Sequence, residues 1–106
     1  MKTINIQEFR RSGSKIFSGR DVGIEARKKA KLNEKDKDGE QYEIIIPSDT
    51  YSISGSFFGG MFSDSVITLK EEAFRSKYIF RFSTGELNDS LRGDIEEGIY
   101  DAVNDL

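Results

Sequence analysis

The stretch Ile44-Ile45-Ile46-Pro47-Ser48-Asp49, followed by Thr50 to Ser56 and then by Phe57 to Leu69, decides the fold. The run Tyr42 to Ile46 is short, apolar and β-branched, which predicts a strand covered on both faces. Pro47 has no amide hydrogen to give to a ladder, so the strand stops there. Beyond a turn rich in hydroxyl groups, apolar residues fall at Phe57, Phe58, Met61, Phe62, Val66 and Leu69, a stripe with helical spacing. The spacing predicts a helix beginning just after Ser54-Gly55-Ser56, at the carboxyl end of a central strand. Open α/β sheets carry their working surfaces at that end. A hydroxyl at a helix N-terminus caps the helix, meets an anion or accepts a phosphoryl group, and the choice among these decides the function.

Toward the N-terminus, Lys2 to Ile6 alternates and reads as a first strand with Ile4 and Ile6 on one face. Arg10 to Ser14 is a polar turn, and Lys15-Ile16-Phe17 reads as a short second strand returning antiparallel. Ser18-Gly19 interrupts it. A helix follows from Arg20 or Asp21 to Leu32, with Val22, Ala26, Ala30 and the stem of Lys29 as its inner stripe. Asn33 to Gln41 reads as a solvated, turn-rich loop. Its Asp36, Asp38, Gly39 and Glu40 only superficially resemble a calcium loop, whose ligand series is longer and ends in a Glu.

Toward the C-terminus, Lys70 to Lys77 reads as a polar connection and Tyr78 to Ser83 as a strand of strong β propensity. Thr84 to Asn88 turns at Gly85. Asp89 or Ser90 caps a last helix whose apolar positions are Leu91, Ile95, Ile99, Ala102, Val103 and Leu106. The order β-β-α-β-α-β-α predicts an α/β fold, a four-stranded mixed sheet with helices packed on it, in one domain over residues 1–106.

The chain has 106 residues with neither cysteine nor histidine. Disulfides, thiolate chemistry, the usual zinc sites and the Ser-His-Asp triad are thereby excluded, which disfavours an enzyme. No apolar run approaches the roughly 18 to 20 residues that span a bilayer, and Met1 to Asn5 has no signal-like apolar region. A cytoplasmic protein is expected, with no membrane association, metal or cofactor. Charge is uneven. Residues 1 to 37 hold eleven Lys or Arg against five Asp or Glu, and residues 84 to 106 hold seven acids against Arg92 alone. The basic run reads first as a solvated face. A nucleic-acid footprint on Arg20, Arg27, Lys28 and Lys31 is the alternative, weakened by interleaved acids and a pI near 5.0.

Phe17-Ser18-Gly19-Arg20, the strand end Ile46-Pro47-Ser48-Asp49, and Ser54-Gly55-Ser56-Phe57-Phe58-Gly59-Gly60-Met61-Phe62 together resemble the bacterial STAS-like domain family of uncharacterised function, a distant relative of the anti-sigma-factor antagonist STAS domains. The resemblance implies a non-enzymatic regulatory or protein-interaction module whose protein partner is a kinase-like ATPase. In the antagonists that ATPase phosphorylates a serine at the start of the second helix and so switches binding. The matching stretch here is Ser54-Gly55-Ser56, with Gly55 close to the modified position and Ser56 the adjacent hydroxyl; the usual Asp-Ser-Ser triplet is absent. The implied contact surface comprises Asp49, Ser54, Gly55, Ser56, Gly59 and Gly60, on a monomer or weak homodimer.

Read from the residues alone, Ser54 and Ser56 serve as caps, phosphoacceptors or anion contacts. Gly59 and Gly60 mark either tight packing against a neighbouring element or a flat surface where a partner backbone approaches. They form no phosphate loop, lacking the Gly-Lys-Ser/Thr ending. A small hydrolase or transferase using Asp49 and Ser56 is the weakest reading, since no histidine or lysine lies beside the serine in sequence.

Overall fold

The computed structural model describes residues 1–104; Leu106, assigned above to the last apolar stripe, lies outside the described residues. The fold is α/β, but its strands are parallel rather than mixed. Strands Lys2–Asn5 (β1), Tyr42–Ile46 (β3) and Tyr78–Phe82 (β5) form a three-stranded sheet in the order β1-β3-β5. Ile4 lies opposite Ile44, and Ile44 opposite Phe80. Parallel neighbours need long crossovers. These are supplied by helices Arg20–Ala30 (α1) and Leu32–Lys35 (α2) before β3, and by Gly55–Leu69 (α3) and Glu71–Lys77 (α4) before β5. Helix Asp89–Asn104 (α5) completes the described chain.

The second strand, Ile16–Phe17 (β2), does not return antiparallel against β1. It pairs in parallel with Ser52–Ile53 (β4), two residues inside the stretch expected to be only a turn. Phe17 and Ile53 face each other and are both buried, so side-by-side burial of these two side chains fixes the ladder. The expected four-stranded mixed sheet is therefore a parallel sheet of three strands and a separate parallel ladder of two.

Two further elements lie outside the sequence-based expectation. At Lys31 the backbone turns left-handed and α1 ends, and the chain restarts as α2 because Leu32 is fully buried. The polar stretch 70–77 forms α4, anchored by Phe74 alone in its middle and Lys77 at its end.

The central strand is not covered on both faces by helices. Tyr42, Ile44 and Ile46 face the helical core with Ile4, Tyr78 and Phe82. The opposite face alternates through Thr3, Asn5, Glu43, Ile45, Ile79 and Arg81, where Arg81 Nε donates to Glu43 Oε2 at 2.8 Å. Ile45, flanked by Asn5 and Arg81 in register, is still only 7% exposed. The strand reads as apolar throughout because its outer isoleucine is shielded by neighbouring strands, not by a second helical layer.

The core is aromatic. Phe58, Phe62, Phe74, Tyr78 and Phe80 meet with ring centroids 5.2 to 6.4 Å apart, a range typical of favourable tilted and edge-on pairs. Helix α1 lies against α3 at backbone distance. A methyl built on Gly23 would lie 2.9 Å from Met61 N, and one on Gly60 would lie 3.0 Å from Ile24 N. The glycines thus permit an approach that no other residue allows.

One end of the sheet is held by buried charge. Asp36, in the stretch expected to be a solvated loop, is 6% exposed; it accepts from Arg27 Nη2 at 2.8 Å, Ser65 Oγ at 2.8 Å and Tyr78 OH at 2.6 Å. Arg27 also donates to Met61 O and Asn33 Oδ1. Nearby, Asp38 accepts from Lys77 Nζ at 2.8 Å and from Tyr42 OH. The carboxylates that suggested a calcium loop are bound to protein cations and hydroxyls.

Candidate functional site

The site lies at the opposite, carboxyl end of the strands, where three loops are clamped to one another. Arg10, after β1, donates to Asp49 Oδ1 at 2.6 Å and to Thr50 Oγ1 at 3.1 Å, both after β3. The Arg10 hydrogen bond holds the Asp49 carboxyl below its ordinary range despite some desolvation. Ser48 Oγ lies 2.9 Å from Ser83 Oγ and 2.7 Å from Thr84 Oγ1, joining the loops after β3 and β5. From α5, Asp94 accepts the Ile53 amide at 2.9 Å, and Phe17 O accepts the Ser54 amide at 2.8 Å. The backbone leading into α3 is therefore fixed from both sides.

Helix α3 starts at Gly55, two residues earlier than its apolar stripe suggests, because Ser54 is its N-cap. The Ser54 backbone is extended, and its Oγ accepts the Phe57 amide at 3.1 Å, satisfying one of the amides that a helix start leaves open. Ser56 is exposed on the second residue of the helix, its Oγ 3.1 Å from Ser54 Oγ. The two hydroxyls differ in kind. Ser54 is occupied as a cap, whereas Ser56 serves no backbone group.

Gly59 and Gly60 also differ. At Gly60 the close neighbour is the protein's own α1: a methyl there would lie 3.2 Å from the Arg20 carbonyl carbon. At Gly59 no backbone comes as close, and the atoms nearest a methyl would be those of the Arg20 guanidinium, with Nη1 and Nη2 both at 3.2 Å. Of the expected surface, Asp49, Gly55 and Ser56 are exposed, Ser54 and Gly59 half-buried, and Gly60 half-buried beneath α1.

Around this start Tyr51 is 74% exposed and Ile16, on β2 opposite Ser52, is 41% exposed. Tyr51 falls within the stretch Asp49 to Ser56 that the sequence offers as a contact surface, whereas Ile16, an isolated exposed apolar residue, carries no pattern that assigns it there. Arg27, in the basic set considered for nucleic acid, is buried against Asp36 and does not reach solvent as a free cation. No helix among the described residues is long and apolar enough to cross a membrane.

No family model, curated protein or solved structure matches this chain.

Proposed function

We propose that the chain is a non-enzymatic regulatory module that binds a protein partner through the surface around the start of α3 and is switched by phosphorylation of Ser56. The reading draws on the STAS-like resemblance, which also supplies the class of partner, a kinase-like ATPase. In the switching step the γ-phosphoryl of ATP passes to Ser56 Oγ. The Oγ–P bond forms, the bond from Pγ to the leaving oxygen of ADP breaks, and the hydroxyl proton leaves to the kinase or solvent.

The observation that carries this is the division of labour between the two serines. Modifying Ser54 would remove the cap from α3, at a cost of about 0.5 to 2 kcal/mol. Ser56 Oγ holds no backbone group and is exposed, so a phosphoryl there changes the surface and leaves the fold. It adds about −1.5 to −2 charge beside the positive end of a helix dipole, which accommodates it. The Asp49 carboxylate is committed to Arg10 rather than to Ser56, which suits a serine that is modified by a partner better than one that acts as a nucleophile itself.

The test is an intact-mass measurement on tagged protein from its own host, followed by binding to the kinase-like ATPase of that host. A species heavier by one phosphoryl group is expected, and Ser56→Ala should abolish it. Ser56→Asp should keep the melting temperature and weaken binding, while Ser56→Ala should bind normally. Unmodified protein throughout growth, or equal binding by the two variants, defeats the proposal.

A further inference from the structure

Ser56, Gly59 and Gly60 are three and four residues apart, so they share one face of α3. Arg20 lies across that face. Its backbone carbonyl is pressed against Gly60 and its guanidinium rests over Gly59. The glycine pair is a seat for one arginine, Gly60 for its backbone and Gly59 for its side chain.

Two observations set this cation apart. Among the described residues Arg20 forms no ion pair and no side-chain hydrogen bond, unlike Arg10, Arg27, Arg75, Arg81 and Arg92. It also belongs to the first turn of α1 and lies against the second turn of α3. The start of a helix is the end that disfavours positive charge. Gly59 adds a third point. Glycine weakens a helix, yet the atoms nearest a methyl at Gly59 are those of the Arg20 guanidinium and not backbone, so this is the group that a side chain there would press on first.

We propose that Arg20 receives the phosphoryl group on Ser56, and that Gly59 holds its guanidinium within reach. This rests on the phosphorylation reading above and names the residue that responds to it. Side chains three residues apart on a helix have Cβ atoms about 5 to 6 Å apart, and the guanidinium nitrogens lie 3.2 Å from the methyl position of Gly59. A phosphoserine at 56 therefore stands beside the arginine fork, which matches two phosphate oxygens at once. Phosphorylation then acts twice: it adds negative charge at Ser56 and withdraws the positive charge of Arg20 from the surface offered to the partner. It also ties the start of α3 to the start of α1.

The experiment is a ³¹P NMR titration of the whole chain carrying phosphoserine at position 56, introduced during translation. It is repeated in Arg20→Gln, Arg20→Lys and Gly59→Ala backgrounds. Free phosphoserine loses its second proton near pH 6. With Arg20 present that pKa should fall by about 1 unit, and Arg20→Gln should restore it. Arg20→Lys should retain part of the fall, keeping charge but losing the fork, and Gly59→Ala should also reduce it by displacing the guanidinium. Equal values in the parent and in the Arg20→Gln background overturn the proposal. So does saturable binding of inorganic phosphate to unmodified protein that shifts the Arg20 Nε resonance equally, which would make this a free-anion site. The titration depends only on the chain's own residues. It is decided independently of whether the host phosphorylates Ser56 or the partner binds.

Discussion

Gly93→Ala and Gly98→Ala make the same chemical change in the same helix, and the structure expects them to move stability in opposite directions. Both glycines lie inside α5, where each costs about 0.8 to 1 kcal/mol relative to alanine in helix propensity. At Gly93 a methyl would meet nothing within 4 Å, so the whole propensity gain should appear: about 1 kcal/mol, or a rise in Tm of about 4 to 8 °C for a chain of this size. At Gly98 a methyl would lie 2.6 Å from Cγ and 2.8 Å from Cε1 of Phe58. That ring cannot swing away, because Phe62, Phe74 and Phe80 surround it. Overpacking of this kind costs about 1 to 3 kcal/mol, and an intrusion onto several ring atoms belongs near the upper figure. Subtracting the propensity gain leaves a net loss of about 2 kcal/mol. Urea denaturation of the two single variants measures both. Phe58→Leu combined with Gly98→Ala, against each alone, gives the coupling energy, which should favour the pair. If Gly98→Ala is as stable as Gly93→Ala, α5 does not press on Phe58 and the packing described above is wrong.

Arg27→Met and Asp36→Asn should each lose about 3 to 5 kcal/mol in chemical denaturation, because either leaves a buried polar partner unanswered. The pair Arg27→Met with Asp36→Leu should recover much of that loss, and single variants within about 1 kcal/mol of the parent would show the network to be idle. Lys70 joins α3 to α4 with φ of 74° and ψ of 159°, a region that strains any residue but glycine by about 1 to 3 kcal/mol; Lys70→Gly should therefore raise the melting temperature, and a fall would contradict that backbone. Stability should depend on pH at both ends. Asp38, held low chiefly by the Lys77 hydrogen bond, Asp49, held low by Arg10, and Glu96, held low by Arg75, all favour the folded state once ionised. Their contribution is present above the ordinary carboxylate range near pH 4 and lost as pH falls through their lowered folded values. Tyr42, pushed up to about 12 by burial and by Asp38, works in the other direction. Its contribution is intact below about pH 10 and lost as pH rises from there through about 12, so Tyr42→Phe should flatten the alkaline limb of a stability–pH curve.

The elements that can be read from sequence are those whose packing repeats along the chain. The stripe Phe57 to Leu69 runs through a helix of 15 residues, long enough for a 3.6-residue period to stand out from chance. Tyr42 to Ile46 matches its strand to the residue, and Tyr78 to Ser83 overruns its strand only by the final serine. Ser52–Ile53 has only two residues, too few for any period, and the direction of a strand is set by a partner that lies elsewhere in the chain. Asp36 hides its role for a related reason. Its charged neighbours make the run look solvated, while the groups that bury it are nine, 29 and 42 residues away. At the site, the serines and both glycines stand out by residue type. Arg20 does not, because only the close crossing of α1 over α3 gives it a place. A glycine pair on α3 and the small residues of α1 hint at that crossing without identifying the side chain it carries.

The buried carboxylate of Asp36 also bears on how the chain comes apart. Its three partners arrive from α1, from α3 and from the first residue of β5. During synthesis the ion pair with Arg27 can form early, but it stays short of its last hydrogen bond until Tyr78 has been made and docked. The reverse holds in the folded protein. Peeling β5 from the sheet edge would take the Tyr78 hydroxyl from a buried carboxylate that keeps only Arg27 and Ser65, so local opening of the last strand costs a charge-assisted hydrogen bond in the interior. Amide exchange in β5 should then proceed through the same global unfolding as exchange in the central strand, although β5 lies at the margin of the sheet.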